Sequence, residues 1–123
     1  MVLESEPPAN SATAPAPGTD LDRARQWLAG AERPIMIAGL DGLNSAGGAA
    51  AVASFCTQLN VPLITSYKAK GILPEDSALA LGGAGLSPTA DKSLLPLVKD
   101  ADLILLAGYD PIEMRTGWRN VWD

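Results

Sequence analysis

The chain of 123 residues contains no histidine and only one cysteine, Cys56. Without an imidazole, a Ser-His-Asp triad, a Cys-His pair and a histidine-ligated metal site are all excluded. A single cysteine excludes an intrachain disulfide and supplies too few ligands for a zinc site. This cysteine usage agrees with a reducing cytosol, so we expect a cytoplasmic protein.

The sequence also lacks a run of basic residues and a long apolar segment. It has 9 Lys and Arg residues against 14 Asp and Glu, a formal net charge of −5, and nucleic acid is therefore not expected as a partner. No stretch approaches the about 20 consecutive apolar residues of a membrane span, and no signal-peptide pattern opens the chain. We expect no membrane partner, and a small molecule or a protein as the partner instead.

Composition separates a linker from a folded part. Residues 1–18 are rich in proline and alanine and too poor in bulky apolar side chains to become ordered, which predicts a flexible linker. Residues 19–123 are predicted to form one small domain with a single hydrophobic core.

Apolar strand patterns alternate with helical patterns along this domain. Strands are predicted at residues 34–38, 61–65, 78–81 and 102–107, and the first is continuously apolar, as in a strand covered on both faces. Helices are predicted to begin near Thr19, Ser45, Ser87 and Asp110, with Pro96 as a kink or break in the third. The alternation predicts an α/β fold, a Rossmann-like doubly wound parallel sheet.

The side chains that could carry chemistry are few. We interpret Lys68, Lys70, Asp41, Asp110 and Glu113 as solvent-exposed surface groups, because charged side chains usually stay in water. We interpret the cysteine as a core residue, because it falls in an apolar helical stripe. No catalytic residue and no metal site are therefore predicted.

The ends of the predicted strands are the place where a ligand would bind in such a sheet. Glycines follow the first, third and fourth strands, and a Thr-Ser pair ends the second. Glycine there allows close approach of the backbone to a ligand, and it also allows a tight turn without any ligand. Both interpretations stay open at this point.

Three segments, RPIMIAG, VPLITSYKAKGILPEDSALALGGAG and ADLILLAGYDP, in this order resemble the central domain of thiamine-diphosphate-dependent enzymes of the acetolactate synthase, pyruvate oxidase and oxalyl-CoA decarboxylase group. The most specific part is the T-x-x-K-x-K-G-x-x-P-E-D run that begins at Thr65. The resemblance implies a parent enzyme that acts on a 2-oxo acid or a related substrate and needs thiamine diphosphate and Mg²⁺. It also implies that both cofactors are held by the other two domains, which are the expected partners within a homodimer or homotetramer.

In flavin-containing members of this group the central domain holds FAD across its strand ends, and some other members place ADP or coenzyme A nearby. The matching positions in this sequence are Gly39, Thr65, Ser66, Gly82, Gly83, Gly108, Tyr109 and Asp110. The first loop, however, reads GLDG instead of a run of glycines, and Asp110 stands where acetolactate synthases carry an arginine. A carboxylate there disfavours a phosphate.

Two alternatives to the thiamine-enzyme interpretation stay open. One is a stand-alone adenine-nucleotide or FAD-binding module, which stabilisation of the chain by FAD or ADP would favour. The other is a ligand-free scaffold domain whose Trp118 and Trp122 dock on neighbouring domains. A change of tryptophan fluorescence on nucleotide addition would count against the scaffold.

The family domain continues past its fourth strand into further strands, so we expect this chain to be an incomplete domain with an exposed sheet edge. An unpaired edge is a template for pairing with another chain, and we predict dimerisation or strand exchange. Light scattering should show a mass that rises with concentration. A monomer across a wide concentration range would contradict this expectation.

Overall fold

The computed structural model describes residues 18–44, 46–115, 118 and 121–122, and the chain divides into two units after Gly30. The smaller unit contains helix α1 (Thr19–Gly30), whose first turn carries Asp20 and Asp22. Negative charge is favourable there because the unpaired N–H groups of a helix point toward its N-terminus. The predicted linker lies outside the described residues except for Gly18.

The larger unit is an α/β domain. Its elements are β1 (Pro34–Ala38), α2 (Leu40–Asn44), α3 (Gly48–Leu59), β2 (Leu63–Ser66), β3 (Ala80–Ala84), α4 (Pro88–Asp100) and β4 (Leu103–Ala107), with short 3-10 helices at Tyr67–Ala69 and Pro111–Glu113. All strand pairs are parallel and the order is β3-β2-β1-β4. The predicted Rossmann-like doubly wound sheet is confirmed.

Strand β1 is an inner strand, paired with β2 and with β4, and both of its faces are covered. Successive side chains of a strand point to opposite faces, so Ile35 and Ile37 join a core cluster with α4, whereas Met36 and Ala38 join a second cluster with α3. The predicted single core is therefore two apolar layers, one on each face of the sheet. Cys56 of α3 lies in the second layer, where burial raises the pKa of its thiol, and its assignment to the core is confirmed.

The connection after β1 differs from the prediction. The predicted loop at residues 39–42 is partly helical, because α2 starts at Leu40, and Ser45 lies outside the described residues. Helix α3 starts after Gly47, whose left-handed backbone (φ 72°) forms the N-cap without a side-chain hydrogen bond. Asn60 ends the helix, as predicted, in a left-handed conformation that asparagine tolerates.

Helix α4 begins as the sequence predicts. The Ser87 hydroxyl accepts a hydrogen bond from Ala90 N at 3.4 Å, and Pro88 occupies the first turn. The sequence predicts a kink or break at Pro96. The helix does not break there, because it continues to Asp100. Pro96 and Lys92, the residue one turn earlier, are both exposed, so water can satisfy the carbonyl that proline leaves without a donor.

Strand β3 lies later in the chain than predicted, so Gly82 and Gly83 are inside the strand and do not follow it. The pairing with β2 shifts register between Leu63 and Ile64, and Gly82 has a positive φ of 104°. An extra residue in one strand needs such a backbone kink, which glycine adopts without strain. The position of these two glycines is thus set by a bulge that depends on the neighbouring strand.

A buried carboxylate connects α4 to the end of the chain. Asp91 is fully buried and accepts hydrogen bonds from Gly85 N (2.9 Å), Arg115 Nε (2.8 Å) and the indole N–H of Trp118 (2.9 Å). Trp118 is only 1% exposed, so the interpretation that it docks on a neighbouring domain is wrong. Trp122 contacts the ring of Tyr109 edge to face, with 6.3 Å between ring centroids.

Replacing Asp91 should destabilise the domain at neutral pH. Burial raises the pKa of this carboxyl group. The hydrogen bonds from Gly85, Trp118 and Arg115, together with the Arg115 charge, lower the pKa by more, so that it lies below the ordinary 3.8. The stabilisation is thus present above about pH 4 and is lost as the pH falls through the lowered pKa. We expect Asp91→Ala to cost about 3–5 kcal/mol, because it leaves buried donors unpaired.

Urea unfolding followed by tryptophan fluorescence at pH 7 and at pH 3 measures this effect. Asp76→Asn, which changes an exposed acid of the loop between β2 and β3, is the control and should change stability by less than about 0.5 kcal/mol. An Asp91→Ala variant as stable as the wild type at pH 7 would contradict the role of this carboxylate.

Candidate functional site

The carboxyl ends of β1, β2 and β4 meet at one edge of the sheet. Ala38 is paired with Ala107 of β4 and with Thr65 of β2, so the next residues, Gly39, Gly108 and Ser66, follow side by side. The chain runs from β1 outward to β2 and β3 and then returns to β4 on the other side of β1. Such a reversal opens a crevice at the strand ends, where doubly wound proteins bind ligands.

The carboxylate of Glu113 lies in this crevice. It accepts hydrogen bonds from Leu40 N (3.0 and 3.2 Å), from the Ser66 hydroxyl (2.5 Å) and from Asp110 N (3.4 Å). These donors follow β1, end β2 and follow β4, respectively. One side chain therefore joins the ends of three parallel strands.

Local sequence explains why Glu113 turns back into the crevice. Asp110 caps the 3-10 helix Pro111–Glu113 by accepting a hydrogen bond from Ile112 N at 3.0 Å, and Pro111 presets the backbone of its first position. The Glu113 carboxylate, three residues after the cap, accepts a hydrogen bond from the Asp110 N–H in return, and the two residues form a capping box. The short helix thereby aims an acidic side chain at the strand ends.

The glycines of this edge serve contacts within the chain. A Cβ on Gly39 would meet Oε2 of Glu113, the carbonyl oxygen of Gly108 at 2.5 Å and Cα of Tyr109 at 2.7 Å. A Cβ on Gly108, which has a φ of 61°, would overlap the backbone of Gly42. Of the two interpretations left open above, close packing of the loops accounts for both Gly39 and Gly108.

The crevice carries negative charge. Burial and then the charges of Glu113 and Asp110 raise the pKa of Tyr109, the second residue after β4. The Tyr109 hydroxyl is buried and has no hydrogen-bond partner among the residues that the structure describes. The charges of Glu113 and Asp110, which add to the effect of burial, also disfavour a phosphate at the same edge.

The other predicted site residues lie around a second cavity. Thr65 and Gly82 line a space of about 250 Å³ together with Lys70, Glu75 and an apolar floor that includes Leu63. Gly83 is next to it and faces the Tyr67 ring and the Lys70 side chain. Ligand pockets for drug-sized molecules usually span about 300–1,000 Å³, so this cavity suits a small group and is too small for a dinucleotide.

The residues present do not fit the diphosphate of FAD or ADP in the crevice. A diphosphate needs N–H donors and positive charge, whereas here the Glu113 carboxylate already accepts from Leu40 N and Ser66 Oγ. Binding of FAD or ADP in the crevice therefore stays a prediction that this geometry does not favour. The predicted positions concerned are Gly39, Ser66, Gly108, Tyr109 and Asp110.

The interpretation of Glu113 as a solvent-exposed group is wrong, since the side chain is partly buried and hydrogen-bonded. The Asp-x-x-Glu spacing of Asp110 and Glu113 is a capping-box signal that could have identified the local contact. The bonds to Leu40 and Ser66 have no such signal, because they join residues 73 and 47 positions apart.

Within residues 18–44, 46–115, 118 and 121–122, no three His, Cys, Asp or Glu side chains are grouped so as to hold a metal ion. None of the helices described has the length and apolar character that a membrane span requires.

Comparison with known proteins identifies the family. A family model described as the central domain of thiamine pyrophosphate enzymes matches residues 21–122. The chain belongs to this family. The match covers the four strands and their connections, so the resemblance of the three segments to this family is confirmed.

Two curated relatives show which enzymes carry a similar domain. The chain is 36% identical over 91 residues to a probable 2-ketoarginine decarboxylase of Pseudomonas aeruginosa, covering 73% of this chain and 15% of that protein. It is 30% identical over 88 residues to a probable acetolactate synthase large subunit of Methanocaldococcus jannaschii, covering 72% of this chain and 14% of that protein. The chain is thus similar to a small part of thiamine-dependent enzymes.

Gly39→Ala should destabilise this thiamine-enzyme domain. The added methyl group would press on the Glu113 carboxylate and on the loop after β4, and we expect a loss of about 1–3 kcal/mol. Gly30→Ala is the matched control, because a Cβ there meets nothing within 4 Å. Chemical denaturation of both variants measures the difference, and equal stabilities would contradict the close contact at Gly39.

Proposed function

We propose that this domain is the central, structural part of a thiamine-diphosphate-dependent enzyme that acts on a 2-oxo acid or a related substrate. The family match supports a thiamine-dependent parent, and the names of the relatives, a 2-ketoarginine decarboxylase and an acetolactate synthase, support a 2-oxo acid. Thiamine diphosphate, when bound, supplies an electron sink for the carbanion next to the carbonyl carbon. The domain itself supplies no catalytic group in this proposal.

The contacts of Glu113 are the observation that supports a structural role. An acid or base that acts on a substrate must be able to exchange a proton with it at hydrogen-bond distance. The Glu113 carboxylate instead accepts hydrogen bonds from Leu40 and Ser66, and the Asp110 carboxylate caps the following 3-10 helix. Glu113 and Asp110 thus stabilise loops, and the other domains of the parent hold thiamine diphosphate and Mg²⁺ in this proposal.

The other two domains of the parent are the proposed partners of this domain. Strand β4 pairs with β1 on one side and forms an outer strand of the described sheet, and its Leu106 side chain is 52% exposed. Exposed apolar side chains on an outer strand favour contact with further polypeptide. We also propose that the parent enzyme is a cytoplasmic homodimer or homotetramer.

A nucleotide-binding role is the alternative, and the second cavity is the observation in its favour. Lys70 lies at the rim of this cavity with Thr65 and Gly82, so one anionic group such as a phosphate could be held there. The limited volume and the Glu75 carboxylate on the same rim favour the structural role over an FAD site.

The full polypeptide that contains this domain should release CO₂ from a 2-oxo acid only when thiamine diphosphate and Mg²⁺ are present. Pyruvate and 2-ketoarginine are the first substrates to assay, with CO₂ release as the measurement. Activity that survives removal of thiamine diphosphate by dialysis against a chelator would contradict the proposal.

Variants of the two lysines of this edge test the structural role in the same assay. Lys68→Ala and Lys70→Ala should each change kcat by less than about tenfold, because removing a general acid or base usually costs about 10²–10⁴. A loss of kcat in that larger range, in a variant with unchanged thermal stability, would assign a catalytic role to the domain.

A further inference from the structure

The donors around Glu113 form a position suited to an anion. Leu40 N and Asp110 N are backbone donors from the loops after β1 and β4, and the Ser66 hydroxyl comes from the end of β2. Ser66 is only 1% exposed, so its hydroxyl depends on a partner inside the protein. A carboxylate of the chain itself satisfies all three.

This position is the one in which a doubly wound sheet offers donors to a ligand. It lies at the reversal of strand order, between the loops of β1 and β4. Gly39 and Gly108, whose lack of a side chain would bring backbone close to a ligand, instead bring it close to Glu113 and to Gly42. A side chain of the protein itself, Glu113, therefore occupies the crevice.

We infer that the Glu113 carboxylate is an internal anion that occupies the phosphate position of the crevice and excludes an adenine nucleotide such as ADP or FAD. Glu113 is thus a specificity-determining residue, and the domain keeps its strand ends together without a cofactor. The inference concerns the crevice of this domain and does not depend on the substrate of the parent enzyme.

Two physical effects make the exclusion effective. The Glu113 carboxylate, three residues after the Asp110 cap, competes with a nucleotide phosphate for the same donors. Because it is part of the chain, its effective concentration is high, on the order of mM or above. A phosphate entering the crevice would also approach a like charge at close to hydrogen-bond distance, where repulsion is strong in a partly buried site. The negative field felt by Tyr109 acts in the same direction.

Removing the carboxylate should open the crevice to a nucleotide. Binding of ADP to the full polypeptide is measured by isothermal titration calorimetry, with inorganic phosphate as a second probe. We expect no saturable ADP binding in the wild type up to about 1 mM, and an affinity at least about 100-fold higher in Glu113→Ala, the factor that loss of one close unit charge allows. Glu113→Gln keeps the shape of the side chain and removes the charge, so it should also gain binding if Glu113→Ala does not fold.

Glu75→Gln is the matched control, because it neutralises another acid of the same domain, on the rim of the second cavity, and should leave ADP binding as weak as in the wild type. Circular dichroism checks that each variant is folded. Tight ADP or FAD binding by the wild type would overturn the inference, and so would a folded, neutral Glu113 variant that gains no binding. Gain of binding in Glu75→Gln alone would overturn it as well, by placing the nucleotide in the other cavity.

Discussion

The hydrogen bonds of the Glu113 carboxylate hold together the ends of three parallel strands. Parallel strands pair along their length, but the loops that follow them diverge to opposite faces of the sheet. Here one acidic side chain bridges the residue after β1, the last residue of β2 and the residues after β4. Backbone hydrogen bonds from Gly39 N to Ala107 O (2.9 Å) and from Asp41 N to Gly108 O (3.2 Å) join two of these strand ends as well.

Asp91 plays a comparable part after β3. Its buried carboxylate joins the loop after β3, through Gly85, to Arg115 and Trp118 near the chain end. In both clusters the charge is stabilised by several donors from separate segments, which compensates for its loss of water. The domain thus uses two carboxylates to fix loops that the sheet ladder does not reach.

This arrangement suits the structural role that we propose for the domain. A catalytic acid or base needs access to a substrate, whereas Asp91 is fully buried and Glu113 is bound to Leu40 and Ser66. The chain belongs to the central-domain family of thiamine pyrophosphate enzymes, and in our proposal other domains of the parent hold the cofactor. The crevice that related folds use for a ligand is then free to serve the stability of the domain.

Sequence patterns were sufficient for the local parts of this structure. The continuously apolar β1, the caps at Ser87 and Asp110 and the core position of Cys56 all depend on neighbouring residues, so they could be read in advance. Three features could not be predicted in this way: the bulge that places Gly82 inside β3, the burial of Trp118 and the hydrogen bonds of Glu113. They arise from partners 18 to 73 positions away, which only the tertiary structure brings together. The sequence by itself determined the fold class and the family. The tertiary structure decided that the Glu113 carboxylate lies between the strand ends, because the sequence does not distinguish this acid from the other charged residues and its hydrogen-bond donors are distant along the chain.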